Sequence, residues 1–224
     1  MAGSGFGTNF RITTWGETHG AGVGVVVDGC PAGLPLERED VQKYLDRRKP
    51  GQSKYTTQRK EGDQVEILSG IFEGRTTGTP ISMVVYNKDQ RSKDYSNIKD
   101  IYRPGHADFT FDMKYGFRDY RGGGRSSGRE TIGRVAAGAV AAKVLKELGI
   151  EIKAYAKAIA GIEVSKDHFD FAEMNNNPFN MPDKEAAKLV QEKADQMIKE
   201  MDSIGGIIAV SYTHLRAHET EADL

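Results

Sequence analysis

Residues 122–149 read GGGRSSGRETIGRVAAGAVAAKVLKELG, and they decide most of the fold prediction. After the glycines, residues 127–130 (SGRE) have the spacing of a capping box, in which a serine and a glutamate satisfy each other's backbone N–H groups. Residues 135–142 are small and apolar on every side, and Gly149 is a typical C-terminal stop. We therefore predict a buried, closely packed helix that begins at Ser127 and ends before Gly149.

Periodicity indicates further elements around this helix. Residues 21–27 (AGVGVVV) form an apolar run bounded by turn signals, which is typical of a buried strand. The other predicted elements are strands at 64–68, 81–86 and 207–210, helices at 37–48 and 183–201, a turn at 76–80 and a long functional loop at 89–119. Because helices and strands mix without a regular βαβ alternation, we predict an α+β fold.

The distribution of charge points to an anion site. The chain has 224 residues and a formal charge of −1, enough for one large domain or two small ones. Residues 1–150 carry 23 lysines and arginines against 18 acidic residues, whereas residues 151–224 carry 8 against 14. Thirteen of the fourteen arginines lie at or before Arg134. Since arginine binds phosphate and carboxylate bidentately, this cluster favours an anionic ligand.

Composition disfavours several other classes. No apolar run approaches the ~20 residues of a membrane helix, and the first residues lack the features of a secretory signal. The single cysteine, Cys30, excludes an internal disulfide and a cysteine-based zinc site. We expect a cytoplasmic protein with no membrane partner and no metal. We expect no nucleic-acid partner either, because no predicted helix carries a basic stripe and no zinc-finger spacing is present.

Two glycine-rich segments invite a phosphate-binding interpretation. At residues 20–24 the predicted strand follows the glycines instead of preceding them, so a dinucleotide-binding loop is rejected. At residues 122–124 the glycines open a predicted helix, where backbone N–H groups and the positive end of the helix dipole favour an anion. Arg125 and Arg129 add charge beside this segment. A flexible glycine turn with ordinary capping is the alternative.

His19 and His106 lie in glycine-flanked polar segments, GETHG at residues 16–20 and RPGHAD at residues 103–108. A histidine can donate or accept a proton near neutral pH, and neighbouring charges tune that capacity. A single histidine is more often structural than catalytic, but two in such segments beside many arginines favour catalysis. His168 lacks this setting and is expected on the surface.

The last residues interrupt the pattern directly after a predicted strand. The run SYTHLRAHET at residues 211–220 resembles a translated sequencing adapter, so residues 211–224 are predicted to be a non-native tail. His214 and His218 have the spacing of a helical metal pair, but we expect no metal site in such a tail.

Seven separated motifs resemble those of the chorismate synthase family. They read TTWGETHG (13–20), DRRKPGQS (46–53), TTQR (56–59), LSG (68–70), TTGTP (76–80), RPGHAD (103–108) and YRGGGRSSGRET (120–131). The resemblance runs from Gly7 to about Ile152 and more loosely to Val210, so residues 1–210 are identified as an incomplete domain of this family. The family's C-terminal part has no counterpart in the sequence.

The resemblance implies an α+β sandwich of helices between antiparallel sheets, assembled as a homotetramer. It implies a lyase of the shikimate pathway, which removes phosphate and a ring proton from 5-enolpyruvylshikimate 3-phosphate to give chorismate for aromatic amino acid biosynthesis. Reduced FMN is the implied cofactor, and NADPH enters only where the enzyme reduces its own flavin. The alternative is a flavin- or phosphate-binding domain without lyase activity. The chain alone is expected to be inactive.

The resemblance also implies roles for matching residues. His19 would protonate the departing phosphate, and His106 would stabilise or protonate the reduced flavin. The substrate's carboxylates and phosphate would be bound by a set of cationic side chains: Arg48, Arg103, Arg129 and, more weakly, Lys54. FMN would contact Arg125, Ser126 and Ser127. The sequence departs from the family where Thr18 replaces a serine, Gly128 an alanine and Lys54 an arginine.

Overall fold

The computed structural model describes residues 3–56, 61–88 and 99–213. Contacts between residues divide the chain into two compact units. Unit 1 comprises Met1–Gly51 and Arg59–Leu145, and unit 2 comprises Gln52–Gln58 and Lys146–Leu224. Each unit combines antiparallel strands with helices, which confirms the predicted α+β class.

Unit 1 is built on an antiparallel sheet. The strands of the unit are β1 (Gly5–Phe6), β2 (Arg11–Gly16), β3 (Gly22–Asp28), β4 (Val65–Ile67), β5 (Ile71–Phe72), β6 (Arg75–Thr76) and β7 (Ile81–Tyr86). Five of them pair in the order β1-β2-β3-β7-β4, and β5 pairs with β6 as a separate hairpin. Alternate residues of β3 and β7 are buried in one core cluster, so the predicted strands at 21–27, 64–68 and 81–86 are confirmed.

Two helices of unit 1 pack against the apolar face of this sheet. Helix α1 (Arg38–Arg48) buries Val41 and Leu45 in the core cluster, and helix α3 (Thr131–Glu147) adds a row of alanines and Val140. At Gly133 of α3 a Cβ would lie 2.9 Å from the carbonyl oxygen of Gly24. The helix therefore approaches the sheet as closely as its small residues allow, which confirms the predicted close packing.

The predicted capping box at Ser127 is wrong. Ser127 accepts a hydrogen bond from the backbone N–H of Arg129 and caps a 3₁₀ turn, Gly128–Glu130, so that α3 begins only at Thr131. The Glu130 carboxylate accepts from Thr14 Oγ1 at 2.6 Å, and the Ser127 N–H donates to the Gly124 carbonyl. The glutamate is therefore engaged by a strand that lies far away in the sequence.

The predicted long loop at residues 89–119 is also partly wrong. Helix α2 (Asp108–Tyr115) lies inside it and ends at Gly116, which has the left-handed conformation typical of a helix C-terminus. Asp108 is the buried residue of this helix, so α2 has no apolar stripe that a periodicity argument could detect. Residues 89–98 lie outside the described residues.

Unit 2 contains a second antiparallel sheet and one long helix. Its elements are β8 (Ile152–Ile159), β9 (Ile162–Glu163), α4 (Lys184–Glu200) and β10 (Gly206–Tyr212), and β8 pairs with both other strands. Buried residues of α4 pack in one cluster with Ala156 and Met181. The predicted helix at 183–201 is confirmed, with Asp183 as N-cap and Met201 as a left-handed C-cap.

The predicted strand at 207–210 extends to Tyr212, two residues beyond the predicted domain boundary at Val210. Residues 214–224, with His214 and His218, lie outside the described residues, so the non-native tail stays a prediction. Among the helices that the structure describes, none is long and apolar enough to cross a membrane.

The start of α4 depends on Asp183, whose carboxylate accepts from the N–H groups of Ser165, Glu185 and Ala186 at 2.9–3.0 Å. Burial raises the pKa of this carboxyl, but the backbone donors outweigh that effect, and its pKa lies below the ordinary value. A carboxyl with a depressed pKa in the folded state stabilises the protein above its unfolded pKa, and this stabilisation is lost as the pH falls through the folded pKa.

We predict that Asp183→Ala lowers the free energy of unfolding at pH 7 by about 1–3 kcal/mol. The difference from the unsubstituted protein should shrink as the pH falls below about 4, where the wild-type carboxyl begins to be protonated in the unfolded state. Urea unfolding followed by circular dichroism measures both effects. The exposed Asp167→Ala is the control, and equal midpoints for the two variants at pH 7 would contradict the prediction.

Candidate active site

His19 lies in the connection between β2 and β3, where Thr18 and His19 are both buried despite their polarity. Thr18 Oγ1 donates to the carbonyl oxygen of Gly124 at 3.2 Å. Gly122 packs directly against the imidazole: its φ is +90°, and a Cβ there would lie 2.5 Å from His19 Cδ2. The glycine-rich segment therefore covers His19 at a distance that no other residue type permits.

Arg125 fastens the glycine-rich segment to β2. Its Nη1 donates to the carbonyl oxygen of Gly16 at 2.9 Å, and its Nη2 donates to Thr14 Oγ1 at 2.7 Å and lies 3.3 Å from the Glu130 carboxylate. Both terminal nitrogens of this predicted flavin ligand are thus used inside unit 1. A flavin phosphate would have to displace one of these partners to contact the guanidinium.

The two serines that follow Arg125 differ in what they offer a ligand. Ser126 Oγ donates to the carbonyl oxygen of Gly123 at 2.6 Å. Ser127 Oγ accepts from the Arg129 N–H at 3.3 Å, and its hydroxyl hydrogen has no acceptor among the described residues. Of this predicted flavin-binding pair, Ser127 therefore retains a donor.

Arg103 and His106 lie on one turn before α2. Arg103 donates to both carboxylate oxygens of Asp108, at 2.8 and 2.7 Å. These bonds hold the pKa of the Asp108 carboxyl well below its usual range, against the effect of burial. Arg103 Nη2 also donates to the carbonyl oxygen of Gly122 at 3.0 Å, which joins this turn to the segment that covers His19.

His106 is exposed, and its Nδ1 lies 3.0 Å from the carbonyl oxygen of Pro104. Because a carbonyl oxygen can only accept, Nδ1 carries the hydrogen in the neutral ring. The other ring nitrogen, Nε2, is then the one that can accept a proton. The two histidines therefore differ: His19 is enclosed by unit 1, and His106 faces outward from the neighbouring turn.

Arg48 and Arg129 converge on one buried carboxylate, Asp63. Arg48 Nη1 lies 2.8 Å from Asp63 Oδ2, and Arg129 Nη1 lies 2.9 Å from Asp63 Oδ1. The Asp63 side chain is fully buried and the Arg129 side chain is 6% exposed. Arg129 Nη2 is buried without a hydrogen-bond partner among the described residues, and the nearest charge is Glu61 at 3.6 Å.

Sequence reasoning missed Asp63, Glu61 and Asn87, which accepts from Arg129 Nε at 2.7 Å. Asp63 lies between a glycine and a strand and has a φ of 42°, so locally it resembles an ordinary turn residue. Its partners lie 15 and 66 residues away in the chain. No local signal in the sequence could have identified it.

Lys54, the weaker substrate-binding prediction, belongs to unit 2. Its ammonium lies 2.7 Å from the Asp195 carboxylate and 5.1 Å from the centre of the Tyr55 ring. The hydrogen bond that Lys54 donates to Asp195 raises the pKa of Lys54. Tyr55 also donates to Asp195, at 2.8 Å, so the three side chains form one surface cluster within unit 2.

A groove of about 700 Å³ lies elsewhere in unit 1. It is lined at the start of α1 and along β4 and β5 by residues that include Glu37, Glu39 and Glu66. None of the predicted site residues lines it. Arg38 also lines the groove, but its single positive charge is outnumbered by the three carboxylates. Since this balance disfavours an anionic ligand, we do not place the site in this groove. No group of three metal-ligating side chains occurs among the described residues.

The sequence and the fold match one family of known proteins. The family model described as "Chorismate synthase" matches residues 10–218. The chorismate synthase of Lachnospira eligens is 69% identical over 213 residues, which are 95% of this chain and 58% of that protein. The chorismate synthase of Methanococcoides burtonii is 57% identical over 212 residues, 94% of this chain and 58% of that protein.

A solved structure titled "Crystal Structure of Chorismate Synthase" aligns with a TM-score of 0.71 at 30% identity. The alignment covers 92% of this chain and 58% of that chain. The chain therefore spans about 58% of the length of the relatives that it matches.

We predict that Gly122→Ala destabilises the protein more than Gly124→Ala. Both glycines have positive φ, 50° at Gly124 and 90° at Gly122. An alanine strains the backbone by about 1–2 kcal/mol at Gly124 and by at least as much at Gly122. A Cβ at Gly124 meets nothing within 4 Å, whereas one at Gly122 collides with His19 and adds about 1–3 kcal/mol. Urea midpoints of the two variants measure the difference. Equal losses would show that Gly122 does not enclose His19.

We predict that Asp63→Asn lowers the free energy of unfolding by about 3 kcal/mol, because it leaves two arginines without their shared buried counterion. Asparagine is isosteric and tolerates positive φ, so the change isolates the charge. The control is Asp28→Asn, which breaks the exposed pair with Arg11 and should cost less than about 1 kcal/mol. Similar losses in chemical denaturation would contradict the buried network.

Proposed function

This chain belongs to the chorismate synthase family, and from that premise we propose that the whole protein converts 5-enolpyruvylshikimate 3-phosphate into chorismate. The reaction eliminates phosphate and a ring proton. The observation that carries the proposal is the buried guanidinium nitrogen of Arg129, which has no hydrogen-bond partner among the described residues. The Glu61 carboxylate lies 3.6 Å from this nitrogen, beyond hydrogen-bond distance. A buried donor without a hydrogen bond costs about 1–3 kcal/mol, and a hydrogen bond to a bound anion would remove that cost.

The arginines of unit 1 would bind the substrate through the fixed orientation of their N–H donors, because their positive charges are already balanced by carboxylates. Arg48 and Arg129 share Asp63, Arg103 is paired with Asp108, and Arg125 lies beside Glu130. These carboxylates neutralise the arginines and fix the planes of their guanidinium groups. A doubly carboxylated phosphate ester would then be bound by donors whose orientation is set before it arrives. In this proposal Arg48, Arg103 and Arg129 bind substrate, and Lys54 is the weaker candidate.

His19 is the proposed acid for the departing phosphate. A buried imidazole beside fixed arginines can protonate the leaving oxygen as its negative charge develops, which stabilises the transition state more than the ground state. Burial also excludes water from the proton-transfer path. His106, whose Nε2 can take up or give a proton, is the proposed partner of the flavin.

Reduced FMN is the proposed cofactor, and the residues fit it in part. The hydroxyl hydrogen of Ser127 is available to a ligand, whereas the exposed Ser126 already donates to the carbonyl oxygen of Gly123 and can offer only an acceptor. Arg125, whose terminal nitrogens are occupied, would support this turn and contact FMN only after exchanging a partner. When bound, reduced FMN would supply an electron-rich ring without net oxidation or reduction. NADPH would be needed only if the protein reduces its own flavin.

Further proposals concern the assembly, the compartment, the extent of the domain and the activity of the chain alone. We propose that the whole protein is a homotetramer and acts in the cytoplasm, where its substrate would be made and used. Residues 1–210 would form the part of the family domain present in this chain, and residues 211–224 a non-native tail. The 224-residue chain would be inactive alone, since it spans 58% of the Lachnospira eligens enzyme.

A hybrid enzyme tests the function. Residues 10–213 of this chain would replace the aligned segment of the Lachnospira eligens chorismate synthase. We expect this hybrid to release phosphate from 5-enolpyruvylshikimate 3-phosphate in the presence of reduced FMN, and the 224-residue chain to release none. Flavin binding by the hybrid without phosphate release would contradict the lyase proposal and leave a binding domain. Turnover by the short chain would overturn its proposed inactivity.

Substitutions in the hybrid test the two histidines. We predict that His19→Ala and His106→Ala each lower kcat by about 10²-fold, the contribution of a general acid. His168→Ala, at an exposed histidine of unit 2, is the matched control and should leave kcat unchanged within about twofold. Phosphate release at saturating substrate gives kcat. Wild-type kcat in either active-site variant would return that histidine to a structural role.

A further inference from the structure

Asn87, the residue that follows β7, contacts both parts of the proposed site. Its Oδ1 accepts from Arg129 Nε at 2.7 Å. Its Nδ2 donates to the carbonyl oxygens of Glu17 and Gly20, each at 2.8 Å. These two residues flank Thr18 and His19, so one amide group holds the His19 segment on one side and a substrate-binding arginine on the other.

We propose that Asn87 is a positioning residue that fixes His19 and Arg129 relative to each other. This inference rests on the proposed function, because it assigns Asn87 a part in the same reaction. Its premise is geometric: a single amide contacts both the Arg129 guanidinium and the two carbonyl oxygens that flank His19.

The chemistry of these contacts requires an amide. Two carbonyl oxygens can only accept and a guanidinium can only donate, so the side chain between them must present donors on one side and an acceptor on the other. Asparagine does this, whereas aspartate has no donor when ionised and serine has a single hydroxyl. The same partners fix which end of the amide is oxygen and which is nitrogen.

The backbone of Asn87 is also hydrogen-bonded to the connection that contains His19. Its N–H donates to the carbonyl oxygen of Ala21 at 3.0 Å, directly after the last paired residue of β7, Tyr86, which lies opposite Gly22. The His19 segment is also closed on itself, because the Gly20 N–H donates to the Glu17 carbonyl at 3.1 Å. Asn87 therefore ties a short turn to the central part of the sheet of unit 1.

We call the contacts of the Asn87 amide with Arg129, Glu17 and Gly20 the Asn87 clamp. Loss of the Asn87 clamp should lower kcat more than it changes KM. Misplacement of a catalytic group by about 1 Å costs about 10²-fold in rate. In Asn87→Asp the new carboxylate keeps the acceptor for Arg129, so substrate binding through that arginine is retained. It replaces the Nδ2 donor by an oxygen that repels the two carbonyls, so the His19 segment is released.

The experiment compares Asn87→Asp with a matched variant, Asn177→Asp, in the hybrid enzyme. Asn177 lies in unit 2, and its Nδ2 likewise donates to two backbone carbonyl oxygens, those of Glu173 and Met181, each at 2.8 Å. We expect Asn87→Asp to lower kcat by about 10- to 100-fold with KM changed less than about threefold. Asn177→Asp should leave kcat within about twofold, whatever it does to the thermal midpoint. A loss of kcat as large in Asn177→Asp, or a change confined to KM, would overturn the proposal.

A His19→Ala background separates positioning from general structural damage. If Asn87 acts on kcat through His19, Asn87→Asp should lower kcat by less than about twofold once the imidazole is removed, because residues that act as a unit are not additive. The same fold loss in both backgrounds would overturn the proposal, since it would reflect a structural role alone.

Hydrogen exchange of the 224-residue chain provides a readout that does not depend on activity. We expect the Gly20 amide to exchange about tenfold or more faster in Asn87→Asp, with the amide of Val25 in β3 unchanged. An unchanged exchange rate of the Gly20 amide in Asn87→Asp would overturn the proposal that Asn87 holds this segment. If the unsubstituted hybrid releases no phosphate, the proposed function fails by itself, and exchange at Gly20 still decides whether Asn87 holds the segment.

Discussion

The buried contact between Arg129 and Asp63 is the interaction on which the rest of unit 1 depends. A guanidinium and a carboxylate removed from water are tolerated only when both are paired and hydrogen-bonded. Asp63 meets this need by receiving Arg48 from the end of α1 and Arg129 from the turn before α3. Gln42 of α1 donates to the Asp63 carbonyl and accepts from the Val65 N–H, which fixes the carboxylate beside β4.

The pairing of these buried charges brings together segments that are distant in the sequence. Arg129 donates to Asn87, which donates to the carbonyl oxygens of the two residues that flank His19. Arg103 donates to the carbonyl oxygen of Gly122, which packs against the imidazole. His19 is therefore held on one side by Asn87, which binds Arg129, and on the other by Gly122, which binds Arg103. Each arginine has a carboxylate, so the geometry of the donors is set by the protein before any ligand is present.

The sequence predicted well those features whose cause is local. Val23, Val25 and Val27 alternate along β3, a pattern that predicts a strand. The apolar residues of α4 recur at helical spacing and follow Asp183, a typical N-cap, so the sequence predicts a helix. Features set by long-range partners could not be predicted. Glu130 was expected to cap its own helix, but Thr14 engages it across 116 residues of chain. From the sequence, Asp63 and Asn87 resemble ordinary turn residues, because their contact with Arg129 is visible only in the folded structure.

The central claim is that Arg129 and Asp63 act as one buried unit, and a double-mutant cycle tests it most directly. The free energy of unfolding would be measured for the unsubstituted chain, Asp63→Asn, Arg129→Met and the double variant. We predict a coupling energy of about 2 kcal/mol or more, because either single substitution removes the 2.9 Å contact between the two buried charges, and the second substitution then has no such contact left to break. A coupling energy below about 0.5 kcal/mol would show that the two side chains contribute independently, and it would contradict the account.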